Sequence, residues 1–191
     1  MSEFTIHTPA TAPVASRPLL EGAISKWGFV PNLIGLMAES PATVKAYVAL
    51  TEALSETSFT PVEQQVITLT VSSENECSYC MAAHSGMARM AGMSEPDLEA
   101  LREGRPMVDD RLEVLRRYVT AVIRTRGWPS SEHQAAFKSA GYTTSQTLEV
   151  LVGVAMKTLS NYVNHLANTP LDNQFANFVW EPASAAVAER R

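Results

Sequence analysis

The sequence predicts an all-α fold, and three observations carry that expectation. Apolar residues recur at helical spacing in most segments, capping residues mark the helix starts, and no stretch of useful length alternates apolar with polar side chains as a strand would.

The elements follow in order. Residues 1–16 are rich in Thr, Pro and Ala without periodicity and read as an extended or poorly ordered arm, with His7 inside it. Residues 17–27 carry Leu19, Leu20, Ala23, Ile24 and Trp27 on one helical face, which Gly28 closes. Residues 31–39 make a short helix. Ser40 then caps another, with Pro41 at its first position and Val44, Tyr47, Val48, Leu50 and Leu54 as apolar positions. Thr60-Pro61-Val62-Glu63 is a capping box that opens a helix ending near Ser73, and residues 94–97, 131–134 and 143–146 repeat its logic. Gly92 and Gly141 sit where helix-ending glycines belong. Residues 110–126 place Leu112, Leu115, Val119, Val122 and Ile123 on one stripe. Residues 146–159 are apolar nearly all round, which predicts a central buried helix.

A degenerate repeat runs through the chain. Laying residues 65–84 over 149–168 aligns Val66 with Val150, Ile67 with Leu151 and Val71 with Ala155. Cys77, Cys80 and His84 then fall over Asn161, Asn164 and Asn168, which suggests two related helical halves, the first bearing the chemistry.

Composition narrows the function classes. A chain of 191 residues buries roughly 70% of its unfolded surface and needs no staples to fold. We expect one domain over 17–180 and a tail at 181–191. The chain is 46% hydrophobic and 18% charged, with a formal net charge of -5. Its Lys and Arg residues never cluster beyond a pair, so a nucleic-acid phosphate track is not expected. The N-terminus lacks a basic region followed by an apolar run, and Lys157 interrupts the best candidate span, so neither a secretory signal nor a membrane segment is expected. A cytoplasmic protein follows as the expectation.

The chemistry concentrates at residues 74–84, which hold both cysteines, Cys77 and Cys80, spaced C-x-x-C, with His84 four residues later. In a helix turning about 100° per residue these three share one face. The pattern of the preceding helix breaks at residues 73–76, which puts the cysteines in the first turn of the next helix. Unpaired backbone N–H groups there favour a thiolate. His84 lies one turn on, where it can take or return a proton, and the second thiol is within reach to close a disulfide. A zinc site is the main rival: three soft ligands are present but no second ligand pair. The bland reading is two small buried hydrophobes.

The run from Thr60 to Ser85, with its Cys-x-x-Cys-x-x-x-His core, resembles AhpD-like alkylhydroperoxidases of the carboxymuconolactone decarboxylase superfamily. Phe29-Val-Pro-Asn-Leu and the run from Asn161 to Asp172 resemble its peroxidase-related branch, so the likeness covers about residues 17–178. The resemblance implies an all-α, AhpD-like fold assembled as a homo-oligomer, trimer or hexamer. It implies a cofactor-free redox pair in which Cys80 attacks a small hydroperoxide, Cys77 resolves it and His84 serves the proton relay. An external dithiol, a lipoyl domain or thioredoxin-like protein, would recharge the pair. The family's relay glutamate, twelve residues before the first cysteine, is Gln65 here. Glutamine exchanges no proton, so the relay would run through His84, Tyr79, a water or another glutamate. Tyr79 stands where some members have histidine, and Glu76 stands where glycine is usual. The alternatives are a decarboxylase-like enzyme or a non-catalytic oligomeric binding protein with a degenerate site.

The remaining candidates have bland readings. Glu63 should cap its helix, and Glu74 and Glu76 should be solvated turn residues. Tyr79 reads equally as packing or as a hydrogen-bonding site residue. His165 reads as a core or interface histidine and His133 as exposed. Met81, Met87, Met90 and Met93 read as packing around a pocket or subunit contact.

Overall fold

Most helix starts are fixed by a side-chain oxygen that accepts from a free backbone N–H in the first turn. The computed structural model describes residues 3–182, and every regular element in that range is helical. The helices are α1 (Arg17–Trp27), α2 (Asn32–Met37), α3 (Pro41–Ser55), α4 (Pro61–Glu74), α5 (Ser78–Met90), α6 (Glu95–Glu103), α7 (Asp110–Arg124), α8 (Ser131–Ser139) and α9 (Thr144–Ala167), with 3-10 turns at Val14–Ser16 and Asn173–Phe178. Thr60 and Thr143 form complete capping boxes with Glu63 and Gln146. Glu63 is buried and also paired with Arg111, so it has the structural role expected of it. The cap of α8 is Ser130 rather than Ser131, because Ser130 Oγ is the group that accepts from His133 N.

Two apolar cores flank α4. One gathers Val66, Leu69, Leu98, Leu115 and Val119 around the stacked rings of Tyr118, Phe137 and Tyr142, whose centroids lie 4.2 and 4.4 Å apart. The other joins α1–α3 to the start of α5 and contains Cys77, Tyr79 and Cys80. Helix α4 is the central one, buried at every position from Val66 to Ser72.

Helix α9 departs from expectation. Its packed face meets α3 and α4, but Leu148, Leu151, Tyr162 and Leu166 are 66%, 45%, 56% and 76% exposed. An apolar pattern on all sides therefore reflects one covered and one uncovered face. The segments aligned as a repeat are both helical, yet α9 runs unbroken where the first half breaks after Glu74.

The N-terminal segment also differs, since it packs against the body. His7 N donates to Gly35 O at 3.1 Å, Ala12 and Ser16 are buried, and a Cβ on Gly35 would stand 2.8 Å from Ile6. The tail expected at 181–191 lies outside the described residues from position 183 on. Among those described, no helix is long and apolar enough to cross a membrane.

Gly153 sets the spacing of α9 on α4, because a Cβ there would meet Ile67 Cγ2 at 2.5 Å. Ile67 is fully buried and β-branched, so it cannot swing aside. Gly153→Val is expected to destabilise the protein by about 2–3 kcal/mol, read as a lower urea midpoint.

Candidate active site

The break after α4 is what presents the cysteines. Glu76 takes a left-handed φ of 53°, and Cys77 N then donates to Ser72 O at 2.9 Å. Glycine would adopt that φ without strain, whereas glutamate adopts it against its Cβ. The Glu76 side chain is exposed and lines a different cleft, near Arg116 and Arg124, so its charge does not face the thiols. Glu74 is likewise occupied at the surface, paired with Arg124 at 2.7 Å.

Cys77 is the N-cap residue of α5 and Cys80 lies in its first turn, both 1% exposed and both free thiols. Opposite them stands one face of α9. Asn164 Nδ2 donates to Cys80 Sγ at 3.2 Å and to Cys77 Sγ at 3.5 Å, and Ser160 Oγ is 3.9 Å from Cys80 Sγ. Asn161 accepts from Asn75 at 3.0 Å, tying α9 to the break. One turn before Ser160 comes Lys157, 0% exposed, whose Nζ has no hydrogen-bond partner.

Lysine is almost never fully buried unless something compensates its charge. The compensation here is Cys80. Burial alone would raise the Cys80 thiol, but the Cys77 thiol bonded to it, the Lys157 ammonium and Ser160 outweigh that and hold it well below the ordinary thiol range. Cys77 moves the opposite way, raised first by its hydrogen bond to Cys80 and then by burial. Lys157 is raised in turn: desolvation opposes its charge, but Cys80 and Tyr47 favour it more. The two thiols of one motif are thus electrostatically unequal.

His84 is 8% exposed, and burial followed by Lys157 holds it well below the usual imidazole value. It is neutral near pH 7. Its Nδ1 lies 2.9 Å from Gln65 Oε1, a carbonyl oxygen that can only accept, so Nδ1 carries the proton and Nε2 keeps a free lone pair. Gln65 Oε1 also accepts from Thr68 at 3.3 Å. Tyr79 is engaged elsewhere: its hydroxyl donates to Asp172 Oδ2 at 2.5 Å and accepts from Leu33 N at 3.4 Å.

These groups open onto one cavity of about 680 Å³. Cys80, His84, Lys157 and Tyr47 line its polar part, and Trp27, Phe29, Leu33, Phe175 and Phe178 make apolar walls. The outer wall is a strap, residues 172–180. Asp172 fixes one end, and Arg102, donating to the carbonyls of Phe178 and Val179 at 3.2 and 2.8 Å, fixes the other.

Of the residues singled out from sequence, Cys77, Cys80, His84 and Gln65 come together. His165 is exposed on the uncovered side of α9, near Tyr162, and is not a core residue. His133 is exposed as expected. Met87 and Met90 line the cavity, while Met81 and Met93 are buried packing. Among the described residues no three His, Cys, Asp or Glu side chains gather as a metal-ligand set. Sequence reasoning missed Lys157, Ser160, Asn164 and Asp172. The signal for Lys157 was a lone charge inside an apolar helix.

The sequence from residue 41 to 121, which contains the whole cysteine motif, matches the profile of the carboxymuconolactone decarboxylase family. Among solved structures the chain is similar to the alkylhydroperoxidase AhpD core of an uncharacterized peroxidase-related protein from Ralstonia eutropha JMP134, with a TM-score of 0.80 and 21% identity over 91% of this chain and 94% of that one. An uncharacterized peroxidase-related protein from Silicibacter sp. TM1040 gives 0.76 at 20% identity over 91% and 92%. The debrominase Bmp8 gives 0.76 at 17% identity over 93% and 96%. At these identities the likeness is one of fold. No curated protein matches the chain significantly in sequence.

Proposed function

We propose that this chain, a homologue of the AhpD-like carboxymuconolactone decarboxylase superfamily, is a thiol-dependent reductase of organic hydroperoxides. One observation carries the reading: a fully buried lysine with no hydrogen-bond partner stands beside one of two inequivalent thiols at the inner end of a largely apolar cavity. A reactive cysteine needs a low pKa and access, and Cys80 has both where Cys77 has neither.

The steps balance with the groups present. Cys80 thiolate attacks the terminal oxygen of R–O–OH. The O–O bond breaks, Cys80 becomes a sulfenic acid, and the departing alkoxide takes a proton from Lys157 and leaves as the alcohol. The neutral His84 Nε2 accepts a hydrogen bond from the hydroperoxide. Cys77 thiol then attacks Cys80 sulfur, expelling water and closing the disulfide. An external dithiol, from a lipoyl or thioredoxin-like protein, returns two electrons and two protons. Cys80 gives its proton back to Lys157 and the ion pair re-forms. Lys157 so fills the place left by Gln65, whose part is to fix the His84 tautomer. Tyr79 has a positioning role through Asp172.

The uncovered apolar stripe of α9 supports self-association; the subunit number, trimer or hexamer, and a reducing cytoplasm are parts of the proposal that rest on the family resemblance. A second reading has one observation in its favour. The aromatic walls suit a flat ring, and the fold is shared with the debrominase Bmp8, seen with 2,3,4-tribromopyrrole. There the same two thiols would replace carbon–bromine by carbon–hydrogen and release bromide.

Reduced protein given a stoichiometric amount of cumene hydroperoxide should form the Cys77–Cys80 disulfide and cumyl alcohol, and dihydrolipoamide should make the reaction catalytic. Protein that stays a dithiol would refute hydroperoxide reduction. Bromide release from a bromopyrrole under the same conditions would favour the second reading.

A further inference from the structure

The cavity has a charge pattern that the redox chemistry does not use. The chain has 20 acidic and 15 basic side chains, yet among the described residues the cavity is lined by Lys26, Arg89 and Lys157 and by no carboxylate. Lys157 sits at the inner end and is matched by Cys80. Lys26 and Arg89 are exposed, and each lies against an aromatic wall: Lys26 Nζ is 5.3 Å from the Trp27 ring and Arg89 is 5.7 Å from the Phe178 ring. Between rim and base the lining is aromatic and aliphatic, with Phe29, Leu33, Ile34, Met87 and Phe175. Arg89 also meets Glu95 at 3.1 Å, but both partners are about half exposed and Glu95 does not line the cavity. Such a pair holds Arg89 weakly enough to be exchanged for a ligand carboxylate.

We infer that the cavity is built for an amphipathic organic acid, its carboxylate held at the rim by Lys26 and Arg89 and its apolar body running inward to Cys80. For the reaction this rests on the reading above, and the substrate becomes a hydroperoxide of a medium-chain or aryl-alkyl carboxylic acid. A volume of about 680 Å³ lies well inside the range of small-molecule sites, roughly 300 to 1,000 Å³. Hydrogen peroxide would leave the apolar walls wet and gain nothing from the rim. The two rim cations act on the ligand before chemistry, so they govern KM, while Cys80 and Lys157 govern kcat. Lys26 and Arg89 are specificity residues of this site.

Binding can be read without any redox step by calorimetric titration of the reduced protein with decanoic acid and with methyl decanoate. Two exposed cation contacts predict a preference for the acid of roughly tenfold in Kd. In the Lys26→Gln/Arg89→Gln double variant that preference is expected to vanish, and in Lys26→Glu/Arg89→Glu to reverse toward the ester. Both positions are at the surface, so circular dichroism should be unchanged. Equal affinity for acid and ester, a preference that survives in both double variants, or no binding of either would overturn the inference. Selective binding of the acid by a protein that turns over no hydroperoxide would support this site and refute hydroperoxide reduction.

Discussion

Cys80→Ser is expected to abolish the proposed hydroperoxide turnover, whereas Cys77→Ser should leave one oxidation per molecule and then stop. The expected asymmetry follows from the surroundings of the two sulfurs. Cys80 lines the cavity, accepts from Asn164 and faces Ser160 and Lys157, so substrate reaches the sulfur that is most readily ionised. Cys77 does not line the cavity, and its hydrogen bond to Cys80 keeps its own proton in place until Cys80 is oxidised. A serine at position 80 has no thiolate to offer, and turnover should fall to the uncatalysed rate. With serine at 77, intact-mass measurement should find one added oxygen on the protein, and excess dithiol should restore activity only slowly. Equal turnover in wild type and both variants would remove the assigned roles.

Lys157→Met is the second large effect. Methionine keeps the length and apolar stem of lysine, and Cys80, left without the ammonium, takes up a proton instead of remaining a buried unpaired charge. The fold should therefore survive while Cys80 loses the ammonium that favours its thiolate and the alkoxide loses its proton donor. Removing one preorganised electrostatic contact of this kind costs on the order of 10²–10³ in kcat. Turnover should fall by about that factor, and it should recover in part at high pH, where the Cys80 thiol ionises unaided. His84 provides a cross-check. The Lys157 charge is one cause of its depressed pKa, so the variant should titrate His84 closer to the ordinary imidazole value, read by NMR.

Much of this was legible in the sequence, because the relevant signals are local. Thr60 with Glu63 and Thr143 with Gln146 declare helix starts through a hydrogen bond spanning three residues, and the structure has both boxes. The Cys77, Cys80 and His84 spacing and the pattern break at 73–76 place the thiols at a helix start for the same reason. What stayed hidden depends on distant pairing. Tyr79 meets Asp172 across 93 residues and Asn164 meets Cys80 across 84, and no periodicity encodes either contact. Lys157 read as a charge interrupting an apolar run. Its meaning appears only when α9 is laid beside α5 and its neighbour proves to be a thiol. The faces of α9 were also illegible, since an apolar pattern does not say which side another helix will cover.

The most direct test of the Cys80–Lys157 pair is the pH dependence of Cys80 alkylation by iodoacetamide in the reduced protein, followed by peptide mass spectrometry. Only the thiolate reacts, so the midpoint of the rate profile reports the pKa of the thiol. The wild-type midpoint should lie well below about 8.5, the ordinary thiol value, with Cys77 unreactive across the same range, and Lys157→Met should move it above that value. A wild-type midpoint at or above the ordinary value, unmoved by Lys157→Met, would contradict the pairing of thiolate and ammonium on which the proposed reaction stands.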